Sequence, residues 1–174
     1  IISAKLIILQ MEIPIDIVEY IINLASKHNT YIILNAAPAY EIREEVLAKV
    51  NCLVVNETEA SFYLNKEINN FKSSEENCEE LYKKIKDLLI ITLGENGSLL
   101  YDGKEKLHIK AKKVKVVETT GAGDSFIGAF AYKLLNDLPY KEAAEFASLV
   151  SAVTVTKVGA QDSMPTYEEV NGLF

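Results

Sequence analysis

Gly121-Ala122-Gly123-Asp124 sets two glycines and a carboxylate at the head of an apolar, helically spaced run, Phe126 to Leu135. Upstream, Val114 to Val117 alternates valine with lysine, the period of a strand. The combination describes a glycine-rich turn opening a helix, with an aspartate in its first turn. Free backbone N–H groups and the positive end of the helix dipole meet there, and glycine lets an anion approach the backbone closely. A phosphoryl group suits that place, and Asp124 could take a proton from a hydroxyl attacking it. The same residues also describe a plain strand-to-helix turn whose acid favours the dipole. The rest of the chain has to decide between the two.

Two further stretches bear on that choice. Asn56-Glu57-Thr58-Glu59 follows the apolar run Cys52 to Val55. It reads as a helix cap, with Asn56 as N-cap and Glu59 reaching back. It also reads as an amide and a carboxylate near a metal-bound nucleotide phosphate, Glu59 holding Mg²⁺ through water. Thr92-Leu93-Gly94-Glu95-Asn96-Gly97 is either a turn into a hairpin or a place where backbone and Thr92 approach nucleotide phosphates and ribose. The sequence Gly-x-x-x-x-Gly-Lys-Ser/Thr occurs nowhere in the chain, so this is no Walker-type phosphate loop. Cys52, Cys78, His28 and His108 have neither metal-ligand spacing nor a disulfide pattern, and the cysteines read as reduced thiols of a cytoplasmic protein.

The elements that must position these residues alternate. Lys5 to Leu9 reads as a buried strand, Pro14 to His28 as an amphipathic helix, and Tyr31 to Leu34 as a second strand. Glu41 to Ala48 is expected as a short helix, Cys52 to Val55 as a strand, and Asn56 to Leu64 as a helix. Ser73-Ser74-Glu75-Glu76 reads as a helix start leading into Glu79 to Lys86, before a strand at Leu88 to Leu93. A hairpin is expected across Asp102-Gly103, joining Ser98–Tyr101 to Leu107–Ile109, and Val114 to Val117 as one more strand. Helices then follow over Ala122–Asn136, Tyr140 to about Thr156, and Tyr167 to about Gly172. Such alternation implies βαβ units, hence an α/β fold with a mostly parallel sheet covered by helices. Ligands of such sheets sit at the carboxyl ends of the strands, where Asn35, Asn56, Thr92 and the Gly121 turn all fall, with Glu12 close to the first.

Composition narrows the partners. The chain has 174 residues, 49% of them apolar and 25% charged, the balance of an ordinary globular domain. A net charge of −7 argues against nucleic acid as the main partner, and no apolar run approaches the length of a membrane span. The lysines at 104, 106, 110, 112, 113 and 115 alternate with apolar residues and read as the solvated face of a hairpin or edge strand. The chain opens on Ile1-Ile2 and runs at once into a strand, which reads as a piece of something longer.

Glu118-Thr119-Thr120-Gly121-Ala122-Gly123-Asp124-Ser125-Phe126 resembles the second signature of the ribokinase (PfkB) family of sugar kinases. Asn35-Ala36-Ala37-Pro38, Asn56-Glu57-Thr58-Glu59 and Thr92-Leu93-Gly94 stand in that family's order and spacing, and Gly159-Ala160-Gln161-Asp162-Ser163-Met164-Pro165 is similar to the tail of its ribose-phosphorylating branch. The resemblance covers essentially the whole chain, matched to the C-terminal part of a family member. It implies a three-layer α/β/α ribokinase-like fold in which residues 1–174 are the C-terminal part of one domain, its N-terminal strands and β-lid missing.

The resemblance also implies roles. Asp124 would be the base that accepts the sugar hydroxyl proton, and Gly121, Ala122 and Gly123 the anion hole. Asn56 and Glu59 would serve the phosphates and Mg²⁺; Thr92, Gly94 and Gly97 would touch ATP; Glu12 would touch the sugar. A monovalent cation, K⁺, would sit on the Glu118 side chain, the carbonyls of Thr120, Thr154, Lys157 and Gly159, and the Ser163 hydroxyl. The family usually has Asp where this chain has Glu118, one methylene longer, and Asn-Pro where it has Asn35-Ala36. The implied reaction is ATP plus D-ribose giving D-ribose 5-phosphate and ADP, with the fragment itself inactive and the full-length parent able to pair as a homodimer. The rival expectations are a family kinase for another sugar or a nucleoside, and a non-catalytic nucleotide-binding module.

Overall fold

The structure, a computed structural model, describes residues 1–171. The chain divides into two compact units, residues 1–108 and 109–174.

The first unit is built on a six-stranded sheet in the order β1-β2-β3-β4-β5-β6. Its strands are β1 (Leu6–Gln10), β2 (Tyr31–Asn35), β3 (Cys52–Asn56), β4 (Leu88–Thr92), β5 (Ser98–Tyr101) and β6 (Lys106–Ile109). The first four run parallel, and β5 turns back antiparallel to β4. Crossovers between parallel strands need helices, supplied here by α1 (Ile15–Lys27), α2 (Glu44–Leu47), α3 (Glu57–Leu64) and α4 (Phe71–Tyr82). Helix-covered parallel strands become continuously apolar. Ile32, Ile33 and Leu34, Leu53, and Leu88 to Ile91 are accordingly all buried. β1 lies at the sheet margin, and its Ile8 is 41% exposed.

The α/β expectation holds, with local corrections. α4 begins at Phe71, earlier than the Ser73-Ser74-Glu75-Glu76 cluster suggested, because Asn70 and Ser73 form a reciprocal capping box. The Asn70 side chain accepts the Ser73 N–H at 2.9 Å, and the Ser73 hydroxyl oxygen accepts the Asn70 N–H at 3.2 Å. Asn70→Ala is expected to lower stability by about 1 kcal/mol, measurable as a shifted urea midpoint with an unchanged slope. α2 is confined to Glu44–Leu47 within the expected Glu41–Ala48, since Arg43 is still extended at its N-cap.

Arg43 there joins α2 to α1. Its Nε donates to Glu19 at 2.7 Å and its backbone N–H to the other carboxylate oxygen at 3.0 Å. The Arg43 hydrogen bond holds the Glu19 carboxyl below its ordinary range. A depressed folded-state value means the contribution is present above the unfolded value and lost as pH falls through the folded one. The acid limb of the stability curve below pH 4.5 should therefore be shallower in Glu19→Gln. The difference should stay under about 1 kcal/mol because the Arg43 side chain is largely exposed; thermal melts across the acid range measure it.

In the second unit, α5 (Ala122–Leu135) packs on α6 (Tyr140–Thr154), and α7 (Tyr167–Asn171) follows. α6 presents Ala143, Ala144 and Ala147, all fully buried, so the helices approach closely. Phe126 and Phe130 fill the α5 side. Gly172, the expected end of the last helix, lies outside the described residues. The expected strand Val114–Val117 does not form. Alternation alone makes no strand without a ladder partner, and Val114, Val116 and Val117 are exposed. Its end is tied: the N–H groups of Val117 and Glu118 both donate to the Val155 carbonyl, at 2.8 and 3.2 Å.

Candidate active site

In the first unit, parallel pairing brings polar strand ends to one edge of the sheet. Gln10 pairs with Asn35 and Asn56 with Thr92, each at the carboxyl end of its strand. Glu12, two residues beyond β1, is exposed. Asn35 is buried at the end of β2.

Asn56 and Glu59 form the expected capping box, and more. The Asn56 side-chain oxygen accepts the Glu59 N–H at 2.9 Å. One Glu59 oxygen accepts the Asn56 N–H at 2.8 Å, and the other the Asn56 side-chain amide at 3.0 Å. Glu59 is nonetheless only 6% exposed, and burial pushes its carboxyl above the ordinary range, against the pull of the Asn56 bonds. An oriented, desolvated carboxylate gains from a neighbouring cation, so this pair fits a Mg²⁺–phosphate group. The cap reading holds.

Thr92 ends β4, its hydroxyl donating to the Val55 carbonyl at 3.4 Å. Gly94 and Gly97, both with positive φ, bracket a 3₁₀ turn over Gly94–Asn96. That turn leads into β5, and its residues 94–96 are exposed. His108 stacks on Phe71 at 4.0 Å and its Nε2 bonds the Asn96 carbonyl, a structural role. Cys52 and Cys78 are buried free thiols, and burial pushes both up.

In the second unit, Gly121 is the N-cap of α5 with φ 78° and ψ −3°. The left-handed cap folds the chain back so that the Ala122 N–H donates to the Thr119 carbonyl at 3.2 Å and the Ser125 N–H to the Gly121 carbonyl at 2.9 Å. Asp124 is the third helical residue and exposed, while the following Ser125, Phe126 and Ile127 are buried. Ser125 and Thr154 share a hydroxyl–hydroxyl bond of 3.0 Å, and the Ser151 hydroxyl donates to the Ala122 carbonyl at 3.1 Å. These bonds fix the first turn of α5 on α6. The small hydroxyls at 151 and 154, three residues apart on one helix face, were the signal sequence reading passed over.

Beside Asp124 a cavity of about 420 Å³ runs along α5 past Gly128 and Tyr132 to Phe146, Met164 and Tyr167. Sequence reading did not foresee these walls, because helical spacing does not separate core-facing aromatics from cavity-facing ones.

The residues expected to hold K⁺ do come together. Glu118 Oε2 accepts the Gly159 N–H at 3.0 Å, and a hydrogen bond with the Thr120 side chain joins it. These bonds, Gly159 first, hold its carboxyl below the ordinary range. The Thr154 carbonyl accepts the Lys157 N–H at 3.1 Å, and the Ser163 hydroxyl donates to the Ala160 carbonyl at 2.7 Å. An amide hydrogen thus points at one oxygen of the Glu118 carboxylate, and the Thr154 carbonyl and Ser163 hydroxyl each make one bond within the same segment.

The sequence pattern of the pfkB family carbohydrate kinases matches residues 1–167. The chain belongs to the PfkB family. Its similarity extends to a ribokinase of Schizosaccharomyces pombe, 37% identical over 178 residues covering 99% of this chain and 55% of that protein. A Staphylococcus aureus ribokinase is 36% identical over 172 residues, covering 98% of this chain and 57% of that one. Among solved structures, Arabidopsis thaliana ribokinase complexed with ribose and ATP superposes with a TM-score of 0.92 at 28% identity, over 99% of this chain and 56% of that one. Thermotoga maritima ribokinase gives 0.82 at 34% identity, over 97% and 56%. The chain therefore spans little more than half the length of these PfkB relatives. The sheet with its flanking helices is the ribokinase-like α/β fold. Among the described residues no helix is long and apolar enough to cross a membrane.

Proposed function

We propose that residues 1–174 are the ATP-handling and base-bearing part of a sugar kinase that converts D-ribose and ATP to D-ribose 5-phosphate and ADP, and that both units belong to one ribokinase-like domain. The observation that carries this is the left-handed Gly121 cap with Asp124 in the third helical position, inside a chain of the PfkB family. Asp124 takes the proton of the sugar hydroxyl as its oxygen attacks the γ-phosphorus. The N–H groups of the Gly121–Gly123 turn stabilise the charge on the transferring group. Thr92, Gly94 and Gly97 line the nucleotide side, and Glu12 positions the sugar. Asn56 and Glu59 would hold Mg²⁺, which when bound neutralises phosphate charge. The two buried thiols suit a reducing, cytoplasmic setting.

Ribose is favoured because the S. pombe and S. aureus relatives are ribokinases and the Arabidopsis neighbour is complexed with ribose and ATP. A deoxyribokinase of Salmonella typhi, 33% identical over 170 residues, makes 2-deoxyribose the informative competitor. The test is sugar-dependent ADP formation by residues 1–174 and by a polypeptide of the relatives' full length. Turnover with ribose is expected in the longer polypeptide alone, because enclosing the sugar and excluding water needs more chain. Preference for 2-deoxyribose or a nucleoside would overturn the ribose assignment, and turnover by residues 1–174 the incompleteness. Sedimentation of the longer polypeptide checks the expected homodimer.

A further inference from the structure

The loop that leaves β2, residues 36–40, lies at the carboxyl end of the sheet and forms neither helix nor strand. We propose that Tyr63 is a positioning residue: from α3, the helix that carries Glu59, its hydroxyl holds this loop, which fixes the end of β1 and so the place where Glu12 meets the sugar. The inference rests on the sugar kinase reading, and one of its tests needs no turnover.

The loop is held at three points. At its root the Ala36 N–H donates to the Val54 carbonyl of β3 at 3.0 Å. In its middle the Ala37 carbonyl accepts the Met11 N–H, also at 3.0 Å. Met11 is buried, and Glu12 follows it directly, exposed. At its far end the Tyr40 carbonyl accepts the Tyr63 hydroxyl at 2.8 Å. The first two ties are backbone to backbone. Of the three, only the Tyr63 tie is made by a side chain, so it is the one a substitution can cut cleanly.

Tyr63 is built for that task. It stands one turn after Glu59 on α3, so both side chains share a face. Its ring packs against the hydrophobic core and meets Phe62 edge-on at 5.3 Å. Burial, and after it the negative charge of Glu59, pushes the hydroxyl up to about 12, so at neutral pH it keeps its proton and stays a donor. The carboxylate proposed for Mg²⁺ and the one proposed for the sugar thus lie at the two ends of one bonded path. It runs from Tyr63 to Tyr40, along the loop to Ala37, and across to Met11.

The experiment is Tyr63→Phe, which keeps the ring and removes the bond. In residues 1–174, hydrogen exchange is expected to show Met11 amide protection lowered about two- to tenfold, the scale of one neutral hydrogen bond, with Ala36 protection unchanged. Unchanged Met11 protection would overturn the tie. An equal loss at Ala36 would overturn it too, by making Tyr63 a matter of general stability. In a polypeptide of the relatives' full length, KM for ribose is expected to rise by a similar factor, with kcat changed less. KM for ATP should not move, because the Asn56–Glu59 box holds the start of α3 without the loop. An unchanged KM for ribose would overturn the positioning role. Repeated in a Glu12→Gln background, the substitution is expected to add nothing, as for two changes on one route; an additive rise would overturn the route through Glu12. If Met11 protection falls while neither form turns over ribose, the kinase reading and the role at Glu12 fall together, and the tie itself stands.

Discussion

Asp124→Asn, in a polypeptide of the relatives' full length, is expected to lower kcat for ribose phosphorylation by about 10²–10⁴-fold with little change in KM for ribose. The substitution keeps shape and hydrogen-bonding reach while removing the ability to take a proton. Asp124 stands exposed at the third position of α5, and the cavity beside it gives an acceptor room to approach. Its negative charge also favours the helix N-terminus, so a loss of about 0.3–1 kcal/mol in stability accompanies the change. That is too small to unfold the protein, so the kinetic effect is separable from it. Steady-state rates together with a thermal melt make the measurement. An unchanged kcat would remove Asp124 from the reaction.

Gly121→Ala is expected to cost about as much at a different point of the cycle. An alanine at φ 78° carries the left-handed penalty of roughly 1–2 kcal/mol. Its Cβ would also press on the Ala160 carbonyl oxygen at 3.3 Å, which is backbone and cannot swing aside. Relief comes by shifting the turn, which in the proposed mechanism carries the N–H groups that stabilise the transferring phosphoryl group. Removing one such donor from an oxyanion site costs about 10²–10³ in kcat. The expected signature is a stability loss with that fall in kcat and normal ATP binding by the first unit. Equilibrium binding of ADP and kinetics separate the two. A variant that is destabilised yet fully active would show that the turn does not bear the charge.

The first unit was readable because its strands are short, β-branched and bounded by turn residues. Tyr31–Asn35, Cys52–Asn56 and Leu88–Thr92 fall within a residue of where their apolar runs end. Their parallel order followed from the helices between them, and with it the gathering of Asn56 and Thr92 at one sheet edge. Asn56-x-x-Glu59 was readable as a cap because capping is local chemistry. The failures were those of local pattern without long-range context. Val114–Val117 has the alternation of a strand but no ladder to join. The start of α4 was misplaced because a serine, not an acid, closes the box from the third position.

At Glu118 the sequence showed a longer acid than the family pattern has. Where its carboxylate goes depended on Gly159, 41 residues away, and no spacing rule reaches that far. The tyrosines at 132 and 167 looked like ordinary helix-face residues because a cavity is a property of packed neighbours, not of one helix.

The strand order β1-β2-β3-β4-β5-β6 repeats the order of synthesis. Every strand of this sheet therefore meets its neighbour as soon as the intervening helix or turn has formed, without waiting for a distant segment. Loop closure stays short throughout, which keeps the entropic barrier to each pairing low. A sheet of this kind can assemble vectorially as it leaves the ribosome, each strand templating the next. The Gly159–Glu118 bond, by contrast, closes over 41 residues and can form only when nearly all of the chain described here has been made.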